Sequence, residues 1–156
     1  MSHKLYDIAL YYEPMDEQST IFARRQNAIS ALYVYNLNGY KPQSTSRISV
    51  TLADKDLIIG YMSSSVLSVY AHFDKFAYWQ KSAEEQNLII IDTIHRIALA
   101  SAEKYNWNKE ILEQAYQKTL AANFKYAEGK IKISKDKKTQ SLYPARNGSR
   151  FLCYFR

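Results

Sequence analysis

The sequence predicts an α+β fold: an antiparallel sheet formed by strands from both chain ends, packed against a central antiparallel helical hairpin. Three observations predict it. Apolar and polar residues alternate near the start, in "KLYDIALYY", and again near the end, in "GKIKISK" and "SRFLCYFR". Two amphipathic stretches with strong starting signals are joined by only "NWN". The chain has 156 residues, of which 47% are hydrophobic and 23% charged. Those values suit a single globular domain over 1–156 rather than two small cores or a disordered chain.

Taken in order, "KLYDIALYY" sets Tyr6, Ile8, Leu10 and Tyr12 on one face and Asp7, Ala9 and Tyr11 on the other. After Pro14, "DEQSTIFARRQNAISALYVYNLNGYKP" ends on Gly39 and Pro42, a helix-stop signal, and Ser19 or Thr20 could cap its start. We read it as a helix, although its apolar residues form no clean stripe and "ALYVYNL" could equally be a strand. From 46 to 72 the text reads as strands: "RISVTLA", a "DKD" turn at 54–56, then "LIIGYM" and "SVLSVYAHF" joined through Ser63–Ser65.

"SAEE" at 82–85 is a capping box that starts a helix over about 83–105. Asn108 caps a second helix, about 109–126, whose Ile111, Leu112, Ala115, Tyr116, Thr119, Ala122 and Tyr126 share one half. On the first helix Ile90, Ile91, Ile94, Ile97, Ala98, Ala102 and Tyr105 cover one side, while Glu85, Asp92, Arg96 and Glu103 make a narrow polar stripe. Asp92 and Arg96 then read as an exposed i,i+4 ion pair. His95 projects inside the apolar sector near its edge, which suits a neutral histidine bonded to a carbonyl or hydroxyl better than a catalytic group.

Charge is unevenly placed. Residues 125–156 hold nine Lys/Arg against Glu128 and Asp136, a net of +7, whereas residues 1–124 hold twelve against thirteen acids, a net of −1. The terminal strands would therefore carry a basic face with a tyrosine turned outward. Lys130, Lys132, Lys135, Lys137, Lys138, Arg146, Arg150 and Tyr154 are its candidate binding residues, for an acidic protein or for nucleic acid. The RNA-binding aromatic motif and the GXXG loop are both missing from it.

Several function classes are excluded or disfavoured. The four glycines stand isolated, so no phosphate-cradling loop exists. His3, His72 and His95 lack near-neighbour ligand spacing, and the single Cys153 allows neither an internal disulfide nor a multi-thiolate metal site. Cys153 sits in an alternating strand and reads as a small buried hydrophobe rather than a nucleophile. No apolar run approaches the roughly 20 residues that span a bilayer, and the N-terminus has no cleavage-site pattern. A cytoplasmic protein without cofactor, metal or membrane partner is the expectation.

The general plan, clearest from "VYAHFDKFAYWQKS" through the helical pair to "FLCYFR", resembles the immunity proteins of bacterial toxin systems, including contact-dependent inhibition. The resemblance implies a non-enzymatic protein that occludes a cognate toxin domain. Inhibitors of basic nuclease toxins tend to present acid. This resemblance with a basic tail implies either a toxin with an acidic face or contact through the near-neutral body, where Glu13, Asp16 and Glu17, with Asp54 and Asp56, are the acidic candidates. The alternative function is nucleic-acid binding through the basic C-terminal sheet.

Overall fold

A computed structural model describes residues 4–124. Along them run β1 (Asp7–Tyr11), α1 (Glu17–Asn36), β2 (Arg47–Ala53), β3 (Ile58–Ser63), β4 (Val66–His72), α2 (Lys75–Trp79), α3 (Ala83–Tyr105) and α4 (Lys109–Ala121). Local chemistry accounts for the helix boundaries. Ser82 accepts from the backbone N–H of Glu85, whose carboxylate returns the bond, and Asn106 closes α3 in the left-handed region. Asn108 caps α4 as expected. The region expected to be a helix is one, over Glu17–Asn36, and its cap is Asp16 rather than Ser19 or Thr20. Ser19 is the reciprocal partner, its hydroxyl accepting from the Asp16 N–H at 2.8 Å.

The sheet order is β1-β2-β4-β3. Both β1 with β2 and β2 with β4 pair in parallel, and only β3 with β4 is antiparallel. This corrects the antiparallel expectation: the sheet is mixed, and among the described residues its strands come from residues 7–72 rather than from both ends. The reason is α1. A strand followed by a long helix comes back to the same end of the sheet and pairs in parallel, and strand periodicity carries no information about pairing direction. The "DKD" turn reverses the chain but makes no hairpin, because β4 lies between β2 and β3. The true hairpin turns at Ser64 and Ser65, with φ of 52° and 74°. The strand-like pieces expected beyond residue 125 lie outside the described residues.

Inward-facing Ile8 and Leu10, Ile48, Val50 and Leu52, and Leu67, Val69 and Ala71 are all buried. They join Phe22, Ile29, Leu32 and Tyr33 of α1, Ile90, Ile91, Ile94 and Ile97 of α3, and Leu112 and Ala115 of α4 in one core. The helical hairpin is as expected, with Asp92 and His95 of α3 facing Tyr116 and Glu113 of α4 across the Asn106 turn.

Both sheet edges are guarded. At β1 the Leu10 N–H donates to Gln26 Oε1 at 3.2 Å, and the Ser30 hydroxyl donates to the Ile8 carbonyl at 2.7 Å. These α1 side chains occupy hydrogen-bonding positions that a further strand would use. At β3 the register shifts between Ile59 and Met62, and the Lys104 ammonium reaches the Ile59 and Gly60 carbonyls at 3.4 and 3.5 Å. Gly60 is obligatory there, since a Cβ would stand 2.7 Å from the Ser68 carbonyl oxygen.

Ser30→Ala leaves the buried Ile8 carbonyl without its side-chain donor and should lower unfolding free energy by about 1–3 kcal/mol. Ile94→Ala opens a cavity at a fully buried site and should cost about 2–5 kcal/mol. Urea unfolding of the two variants checks both the values and their order.

Candidate partner-binding surface

Three features of the described residues bear on function: the corner between β1 and α1, the sheet face without helices, and the seam where α1, α3 and α4 meet.

The corner holds the acidic residues singled out from sequence. Glu13, Asp16 and Glu17 are all exposed on the connection and first turn of α1. The Asp16 carboxylate is committed to capping the Ser19 N–H. None of the ion pairs among the described residues engages Glu13 or Glu17. Asp74 caps the short α2 by accepting from the Ala77 N–H at 3.0 Å. Next to it the Lys75 ammonium donates to the Glu13 carbonyl at 2.9 Å, and it lies over the rings of Tyr12 and Phe76 at 5.6 and 5.8 Å. That ammonium ties α2 to the connection. Met15, 78% exposed, and Phe76, 75% exposed, are the two most exposed large apolar side chains among the described residues. Sequence reasoning found the acids here but missed the apolar pair.

On the sheet, register aligns Tyr11 with Thr51, Thr51 with Tyr70, and Tyr70 with Ile58. All four are exposed, so one row crosses every described strand on the face turned away from the helices. The Lys55 ammonium sits 5.0 Å over the Tyr70 ring. Lower on the same face Arg47 Nε lies 3.0 Å from Asp7 Oδ2, and Arg47 Nη2 donates to the Tyr11 hydroxyl at 2.6 Å. Burial raises the Asp7 carboxyl above its usual range despite Arg47, which pulls the other way. Alternation in "DIALY" and "VLSVYAH" carried this signal, since both tyrosines fall on the outward phase.

The seam answers what His95 bonds to. Its Nδ1 lies 3.1 Å from the Tyr33 hydroxyl and its Nε2 lies 3.1 Å from Glu113 Oε1. A carboxylate only accepts, so Nε2 carries a hydrogen and, in the neutral ring, the Tyr33 hydroxyl donates to Nδ1. The ring stacks on Tyr116 at 4.2 Å between centroids. Tyr116 donates to Asp92 Oδ1 at 2.6 Å. The Asp92–Arg96 ion pair expected from spacing is therefore not made: Asp92 takes the phenol, and Arg96 donates to the His72 carbonyl at 3.5 Å. Tyr33 and the imidazole ring are buried, so this cluster binds three helices together.

Donation from Gln117 and from His95 holds the Glu113 carboxyl below its usual range. Burial, then the Glu113 charge, raises the Tyr33 phenol, and the bond to Asp92 pushes Tyr116 up to about 12.

The basic candidates Lys130, Lys132, Lys135, Lys137, Lys138, Arg146, Arg150 and Tyr154 lie outside the described residues. Among the described residues no group of three His, Cys, Asp or Glu side chains is placed to hold a metal ion, and no helix is long and apolar enough to cross a membrane. Searches against protein-family models, curated proteins and solved structures return no match to this chain.

Alkaline titration followed by tyrosinate absorbance tests the seam. Tyr116 should ionise last among the accessible tyrosines, near 12, and Asp92→Asn should move it toward 10. Because the folded value is raised, the stabilisation is complete below about 10 and is lost as pH climbs through the folded value. For Glu113 the sign is opposite: its contribution is present above the ordinary carboxyl range and disappears as pH falls through the depressed value. Glu113→Gln should remove that acid-side dependence in urea unfolding.

Proposed function

We propose that this chain is a non-enzymatic immunity protein, which binds a cognate bacterial toxin domain and neutralises it by occlusion. The observation that carries the reading is the exposed row Tyr11, Thr51, Tyr70 and Ile58. Tyrosines offer a large contact area for little rotamer entropy, and a rigid sheet holds them in fixed positions before a partner arrives. A row of two tyrosines, a threonine and an isoleucine matches the composition of protein interfaces better than that of a small-molecule site. His95, the side chain best suited to acid–base chemistry, is spent on holding helices, which favours binding over catalysis. A lone Cys153 suits the reducing cytoplasm in which an immunity protein would meet its toxin.

The test uses the toxic domain encoded beside this chain's gene. Purified protein should bind that domain and protect cells that express it. Tyr11→Ala and Tyr70→Ala should each weaken binding by about tenfold or more while leaving the fold intact. Absence of both binding and protection would discard the reading. Steeply salt-dependent binding to RNA or DNA, abolished by charge reversal at Lys130, Lys132 and Lys135, would replace it with the nucleic-acid alternative.

A further inference from the structure

The tyrosine row is tied down at its β1 end by a bridge between two strands. Arg47 Nε lies 3.0 Å from Asp7 Oδ2, and Arg47 Nη2 donates to the Tyr11 hydroxyl at 2.6 Å. Asp7 and Tyr11 share one face of β1 four residues apart, so a single side chain of β2 spans both. Ala9 stands between them and is buried, although alternation turns it toward the face without helices. A guanidinium has no acceptor, so in this bond the phenol oxygen accepts and its hydrogen stays unused. Among the described residues no hydrogen bond takes the O–H of Tyr11, Thr51 or Tyr70. The row therefore offers hydrogen-bond donors, with the Lys55 ammonium over Tyr70, while the Tyr11 oxygen is already taken.

We infer that Arg47 is the positioning residue of this row: held by Asp7, it fixes Tyr11 so that the phenol donates to an acceptor oxygen, carboxylate or carbonyl, on the partner protein. This assignment rests on the toxin-binding reading and names the chemistry that the partner brings to Tyr11. A tyrosine fixed before the encounter gives up no further rotamer freedom on binding. A donor left unmet in a closed interface is costly, so an apolar patch laid over Tyr11 is rejected. Charge selects a protein as the occupant. Asp7 neutralises Arg47, and Lys55 has Asp54 and Asp56 as sequence neighbours, so the row lacks the run of unpaired cations that phosphates need. Residues 125–156 of the chain itself bring nine cations but only Glu128 and Asp136 as side-chain carboxylates, a poor match to a row of donors. A second copy would set the same donors against one another across a two-fold axis.

Binding of the full-length protein to the toxin domain that the proposed function assigns it as partner is measured in a double-mutant cycle of Tyr11→Phe and Arg47→Lys. Lysine keeps the counter-charge beside Asp7 but lacks the planar fork that reaches two groups at once. Each single variant should weaken binding about fivefold, and the double variant should be no weaker than Tyr11→Phe alone. Additive effects would show that Arg47 does not act through Tyr11, and unchanged affinity in Tyr11→Phe would remove the acceptor. Either result overturns the inference and leaves the toxin-binding reading standing. A second measurement needs no partner. In the free protein, NMR couplings should report a single Tyr11 χ1 rotamer, which becomes averaged in Arg47→Lys and in the uncharged pair Asp7→Asn with Arg47→Met. An averaged Tyr11 in the parent would overturn the positioning role. Binding of single-stranded RNA, or self-association, that Tyr11→Phe weakens would put phosphate or a second copy on the row and overturn the assignment to a partner protein. If the parent does not bind the toxin domain, the toxin-binding reading and the acceptor fall together.

Discussion

Parallel pairing of β1 with β2 is the constraint on which the remaining architecture rests. Two adjacent strands that run the same way need a crossover, and α1 provides it over Glu17–Asn36. Its start is set by the reciprocal bonds of Asp16 and Ser19. Once docked, α1 also closes the outer edge of β1 through Gln26 and Ser30, so the same helix that forces parallel pairing stops the sheet from growing there. The open face and the exposed corner follow: α3 and α4 share the core side with α1, and the chain must leave β1 through an acidic surface connection.

The seam of α1, α3 and α4 shows how two weak expectations combine into a strong joint. An exposed i,i+4 ion pair is worth a few tenths of a kcal/mol. The arrangement found instead buries an imidazole between a phenol and a carboxylate and stacks it on a second phenol held by Asp92. Bonds that satisfy a buried polar group matter more than the pair they displace, because leaving that group unmet carries a desolvation cost of about 1–3 kcal/mol. Asp92 therefore serves Tyr116 on the neighbouring helix, and Arg96 turns to the end of β4.

Elements written in local patterns were legible in the sequence. The Ser82 capping box, the Asn108 cap and the apolar side of α3 all follow from spacing within one or two turns. The Asp16 cap was misplaced by three residues because Ser19 and Thr20 were equally good candidates on side-chain chemistry alone. Pairing direction was not legible, since alternation is identical in parallel and antiparallel strands. Of the candidate site, the acids Glu13, Asp16 and Glu17 stood out as charges, but the companions that give them meaning did not. Phe76 approaches them only through the fold, by way of Lys75, and Tyr11 and Tyr70 become neighbours of one row only through strand register.

The central claim is that the exposed row Tyr11, Thr51, Tyr70 and Ile58 on the open sheet face carries the function. Hydrogen–deuterium exchange of the full-length protein, alone and with the toxin domain that the proposed function assigns it as partner, tests it most directly. The account expects slowed exchange in the peptides that cover β1, β2, β3 and β4, with α3 and α4 unchanged. Slowed exchange confined to α3 and α4, with those peptides unaltered, would contradict it.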